Sequence, residues 1–165
     1  MPKRRSQGLA LTVMGMLILC LVTMDQWTKS AVVASFEYAK AYHYLPFLNI
    51  RLIYNRGASF GWLADQGGWQ VYFFSVIALL VVFVLLIWQQ CARNYGRLHA
   101  VGVCLIVSGA LGNLIDRMRL GYVVDFIDLH YANWHFATFN MADAAITLGA
   151  AAMVVALWRY SPPRA

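Results

Sequence analysis

Charge is scarce in this chain. Only 12% of its 165 residues are Asp, Glu, Lys or Arg and 61% are hydrophobic, whereas soluble domains run at about 25% charged and about 45–50% apolar. That balance excludes an ordinary soluble domain. Acids are the scarcer sign, 7 against 13 Lys and Arg, so each carboxylate can be weighed singly. Cys20, Cys91 and Cys104 form neither an even set nor a CxxC pair, which leaves no disulfide framework and no cysteine metal motif. Internal repeats and low-complexity tracts are also missing.

Long apolar runs are what the sequence has instead. About 20 apolar residues cross a hydrocarbon core of roughly 30 Å, and four stretches meet that need, at about 8–24, 70–89, 98–115 and 140–158. The first belongs to an uncharged stretch of 19 residues, 6–24, longer than the roughly 7–15 residues at the centre of a cleaved secretory signal, and is expected to be retained. The expected fold class is an all-α membrane protein of four transmembrane helices, forming a single membrane-embedded domain over 1–165. Residues 42–54 are aromatic and β-branched and meet Asn55-Arg56-Gly57, which reads as strand and turn. A small extracytoplasmic β-sheet is expected there, with a short strand-like or interfacial segment at 122–129.

Lys3, Arg4, Arg5, Arg93, Arg97, Arg159 and Arg164 lie in short segments on the side of both termini. Lys29, Lys40, Arg51, Arg56, Arg117 and Arg119 are spread over the long connections 25–68 and 116–139. The positive-inside rule then makes both termini cytoplasmic. All 7 acids fall on the other side, so any carboxylate chemistry faces outward. The basic balance reads as membrane orientation, and no nucleic-acid partner is called for.

Most of the acids have a base nearby in sequence. Asp25 precedes Lys29 by one helical turn, Glu37 precedes Lys40, Asp116 adjoins Arg117 and precedes Arg119, and Asp65 sits in a turn-like Asp65-Gln66-Gly67-Gly68. Asp125 interrupts Val123-Val124-Asp125-Phe126-Ile127 with no base close by, and Asp143 opens the fourth span in the same way. Two readings stand for Asp143, a first-turn residue beneath an Asn140 cap or half of a dyad with Asp125. Two such carboxylates held together share one proton. In that dyad Asp143, at a helix start, suits the anion and Asp125, in an apolar run, suits the proton. Asp128 is the spare candidate.

Taken together, the polar islands resemble the lipoprotein signal peptidase family, also called signal peptidase II, and occur in its order. Asp25-Gln26-Trp27-Thr28-Lys29 is similar to its DQxxK, Asn55-Arg56-Gly57-Ala58-Ser59-Phe60 to its NxGAxF, and the block from Ser108 to Arg117 to its GGALGNxxDR. Val123-Val124-Asp125-Phe126 and Phe139-Asn140-Met141-Ala142-Asp143 match its VVDF and FNxAD. Ser108 departs from the usual Gly, but a small residue still permits close helix packing. The resemblance implies an aspartic endopeptidase that cuts prolipoproteins before a diacylglyceryl-modified cysteine, without metal or other cofactor. It implies Asp125 and Asp143 as the catalytic pair, with Asp25, Lys29, Asn55, Gly57, Gly109, Asn113, Arg117 and Asn140 lining or supporting the site. The expected partners are the lipid-modified prolipoprotein and membrane phospholipid, and the chain is expected to act as a monomer.

Three rival readings carry less. Gly57-Ala58-Ser59-Phe60-Gly61 matches GxSxG and would make Ser59 a nucleophile, but that motif needs an α/β-sheet elbow. Asp128, His130 and His135 could ligate a metal, although their spacing fits no zinc pattern. A small four-span proton-coupled transporter would place its acids near the membrane midplane, whereas here they crowd one interface.

Overall fold

A computed structural model of the chain describes residues 2–57, 67–91, 95–132 and 134–160, with side chains from Gly8 onward. Residues 58–60, including Ser59, lie outside the described residues, as does Asp65. The order is α1 (Pro2–Ser35), β1 (Ala41–Leu45), β2 (Leu48–Asn55), α2 (Trp69–Cys91), α3 (Gly96–Leu120), β3 (Val123–Tyr131), β4 (Trp134–His135) and α4 (Met141–Trp158). Among the described residues, four helices are long and apolar enough to cross a membrane.

The central helix is α3, which packs against α1, α2 and most extensively α4. Its apolar window is 61% buried within the protein, against 6% for α1. Small residues set the α3–α4 approach, as expected where lipid supplies no hydrophobic drive and backbones must come close. A Cβ on Gly149 would lie 2.7 Å from the Gly102 carbonyl oxygen, and one on Gly102 would lie 2.8 Å from that of Gly149.

Two helices outrun their apolar stretches. The first continues from Met24 through Ser35, where Val32 is buried against Leu52, Val124 and Phe126 of the sheet. The third continues to Leu120 and stops at Gly121, whose positive φ of 77° forms a left-handed C-cap, its N–H donating to the Arg117 carbonyl. These extensions carry Asp25, Lys29, Asp116 and Arg117 above the apolar bundle on helical backbone.

The four strands form an antiparallel sheet in the order β1-β2-β3-β4. The single strand expected over 42–54 is instead a hairpin, broken at the Pro46-Phe47 turn, since proline has no N–H to give a ladder. The β2–β3 register sets Ile53 opposite Asp125 and Asn55 opposite Val123, past an irregularity between Ile50 and Ile53. After β4 the chain returns to β3 through the Ile127–Phe139 bridge, and this delivers Asn140 to the start of α4.

Candidate active site

Asp125 is buried on β3, and two amides hold it. Asn55 on β2 donates to its Oδ2 at 3.0 Å and Asn140 donates to its Oδ1 at 2.7 Å. Burial pushes its pKa up to about 7, and the nearby Asp143 charge adds to the rise against the opposing pull of the two amides and Lys29. The Asn55 amide is itself oriented by the Gly57 N–H, which donates to Asn55 Oδ1 at 2.9 Å.

Asp143 reaches the same place from α4. The capping reading of it holds. It completes a capping box, taking the Asn140 N–H at 3.2 Å while its own N–H donates to Asn140 Oδ1 at 3.0 Å. Its other oxygen accepts from Asn113 Nδ2 at 2.8 Å. Asn140 Nδ2 donates both to Asp125 and, at 3.2 Å, to Asn113 Oδ1. One fully buried amide therefore ties the cap of α4 to the carboxylate on β3, and all of its hydrogen-bonding groups are used.

Behind this lies a second layer. Lys29 Nζ donates to Asn113 Oδ1, Asp25 Oδ2 and Asp116 Oδ2, each at 2.9 Å, which uses all three ammonium protons. Asp25 Oδ1 accepts from the Ala142 N–H at 3.0 Å and Asp116 Oδ2 from the Val124 N–H at 3.2 Å. The buried ion cluster thus grips the backbone one residue before each candidate aspartate. The Asp25–Lys29 pairing agrees with the sequence reading, as does Glu37–Lys40 at 2.8 Å on the surface. Asp116 departs from it: rather than its sequence neighbours Arg117 and Arg119, it pairs with Lys29 and, through Oδ1, with Gln26 at 2.8 Å. Spacing along one helix could not reveal a partner on another.

Asn55, Gly57, Asn113, Arg117, Asp125 and Asp143 all line one cavity of about 260 Å³. Its lower wall is apolar, with Phe74, Ile77 and Val81 of α2 facing Ile106 of α3 and Ile146 of α4. Arg117 lies over the Phe74 ring, its guanidinium carbon 5.4 Å from the centroid. Asp25, Lys29 and Asn140 support this cavity without lining it. Gly109 also lies off it and serves packing, because a Cβ there would collide with the Ala142 carbonyl oxygen at the start of α4.

Asp128 is no spare member of the pair. It is buried on β3, accepts from Asn49 Nδ2 at 3.1 Å and meets His135 Nδ1 at 2.9 Å. Among the described residues no three His, Cys, Asp or Glu side chains converge to hold a metal, and the His130 ring stacks on that of His135. Sequence reasoning missed Thr138 and Phe74, both of which line the cavity. Neither carries a charge or a motif, and no signal in the sequence alone would have found them.

A family model described as Signal peptidase (SPase) II matches residues 17–159. The lipoprotein signal peptidase of Acinetobacter baumannii is 46% identical over 142 residues, which is 86% of this chain and 80% of the relative. That of Burkholderia thailandensis is 41% identical over 150 residues, covering 91% of this chain and 90% of the relative. A solved bacterial membrane enzyme superposes with a TM-score of 0.81 at 29% identity, over 93% of this chain and 94% of the other. A peptidase assignment displaces the transporter alternative. With four helices fit to cross a membrane and a family match over nearly the whole fold, the chain is a multi-pass bacterial membrane protein belonging to the signal peptidase II family.

Proposed function

We propose that this protein removes the signal peptide from diacylglyceryl-modified prolipoproteins, cutting before the lipidated cysteine with a water activated between Asp125 and Asp143. The observation that carries the reading is the convergence of these two carboxylates, from different elements, on one polar-headed, apolar-walled cavity. A lipid-anchored peptide needs such a place, polar at the scissile bond and apolar where it meets the bilayer.

In this reading Asp125 holds the proton and Asp143, at the positive end of the α4 dipole, takes one from the water. The water oxygen bonds to the scissile carbonyl carbon, and Asp125 gives its proton to the carbonyl oxygen. The intermediate collapses as that hydroxyl proton returns to Asp125, the C–N bond breaks, and the proton on Asp143 passes to the departing nitrogen. Asn55 and Asn140 hold Asp125, while Asn113 holds Asp143. Arg117 and Gly57, which both line the cavity, bind the peptide backbone. Both termini are cytoplasmic, the sheet and site stand at the outer face among phospholipid headgroups, and the protein acts as a monomer because one chain supplies the whole network.

Incubation of the purified protein with a lipidated prolipoprotein, followed by mass spectrometry of both fragments, tests the reading. A new amino terminus at the lipidated cysteine is expected. A cut elsewhere, or equal cutting of the unlipidated precursor, would contradict it.

A further inference from the structure

A second cavity adjoins the first. It has a volume of about 450 Å³ and lies on the other side of the first turn of α4, beneath the segment joining β4 to that helix. Thr138 and Asp143 line both spaces, so the two share a wall at one of the proposed reacting carboxylates. The second is walled by Leu129, Phe136, Phe139, Ala144, Thr147 and Leu148. Thr147 spends its hydroxyl on the Asp143 carbonyl at 2.9 Å, and Leu129, Phe136 and Leu148 are exposed large hydrophobics.

From this geometry, and resting on the function proposed above, we infer that the second cavity is the acyl-chain subsite: it takes the first stretch of an acyl chain of the substrate's lipidated cysteine, while the cleft between α2 and α4 takes the signal peptide. The proposed substrate carries its acyl chains on the residue just after the scissile bond, and its signal peptide also descends into the membrane on the other side of that bond. Two apolar tracks must therefore meet at the dyad, and α4 separates two such tracks there. The track along 143–148 is about 7.5 Å long at the helical rise of 1.5 Å per residue, so it holds only the carbons nearest the glycerol and leaves the rest to the bilayer. Because lipid tails are as apolar as this groove, seating a chain in it gains little affinity. Its effect is to orient the cysteine for attack.

Thr147 is exposed on α4, so Thr147→Trp fills the groove without disturbing the core. Cleavage is measured with prolipoproteins bearing long acyl chains and with ones bearing acetyl groups on the same glycerol. Thr147→Trp is expected to lower kcat/KM for the long-chain substrate by about tenfold or more and to leave the acetylated one nearly unchanged. In parallel, a diazirine near the carboxyl end of the acyl chain should label Phe136, Thr147 or Leu148 on photolysis. An equal effect of Thr147→Trp on both substrates, or labelling confined to Phe74, Ile77 and Val81, would overturn the inference while leaving the peptidase reading intact. Failure of the unaltered protein to cut either substrate would overturn both.

Discussion

At the scale of single residues, the behaviour of Asp125 follows from where its proton is held. Burial and the Asp143 charge raise its pKa to about 7, so the folded protein binds this proton over a range where an ordinary unfolded carboxylate, with a pKa of about 3.9, has lost it. Its contribution to stability is full below the unfolded value and is lost as pH rises through about 7. Cleavage, which on this account needs that proton, should fall with an apparent pKa near 7 on the alkaline side of its pH–rate profile. Asp125→Asn should also remove the decline in stability between about pH 4 and 7, read from denaturation midpoints in detergent.

Lys29 makes the opposite case, a cation valued for what it neutralises. Lys29→Met leaves Asp25 and Asp116 buried without their counter-ion, and breaking a buried cluster in this way costs about 3–5 kcal/mol. Denaturation in detergent should show that loss. Lys40→Ala should leave the midpoint in place, since its pair with Glu37 is solvent-exposed.

At the scale of elements, the α3–α4 contact carries the site. It sets Asn113 against Asn140 and Asp143, and its closeness depends on Gly102 and Gly149. Gly149→Leu must push the helices apart and should lower stability by about 1–3 kcal/mol or more, with a larger proportional loss of activity than of folded protein. Gly15→Leu on the lipid-facing side of α1, where a Cβ would meet nothing within 4 Å, is the control and should be silent in both assays.

Much of this was legible in the sequence, and the boundary of legibility is physical. The apolar runs announced the four helices, because crossing a bilayer is a matter of length and composition. The Asp25–Lys29 pair and the Asn140 cap depend on spacings of three and four residues within one helix, which any helix satisfies. The partner of Asp116 is not legible in the sequence, because it depends on how α3 is rotated against α1. The Asp128–His135 contact and the Asn49 bond likewise depend on sheet register. Thr138 and Phe74 are ordinary residues made important only by the space between elements. The sheet was foreseen, yet its hairpin at Pro46 was not, because β-branched and aromatic residues run on both sides of the turn.

At the scale of the molecule, a chain poor in charge places its buried charged groups at one end of the bundle, where with neighbouring amides they tie three helices and a sheet together. Lys29 comes from α1, Asn113 and Asp116 from α3, Asp143 from α4, Asn55 from β2 and Asp125 from β3. Two carboxylates thereby stand at a cavity that none of these elements could form alone. The central claim is that this pair performs the cleavage. Asp125→Asn and Asp143→Asn should be assayed separately on a lipidated prolipoprotein, with folding checked by thermal unfolding in the same detergent. Each folded variant is predicted to lose activity by roughly a hundredfold to ten-thousandfold; full activity in either one would contradict the dyad.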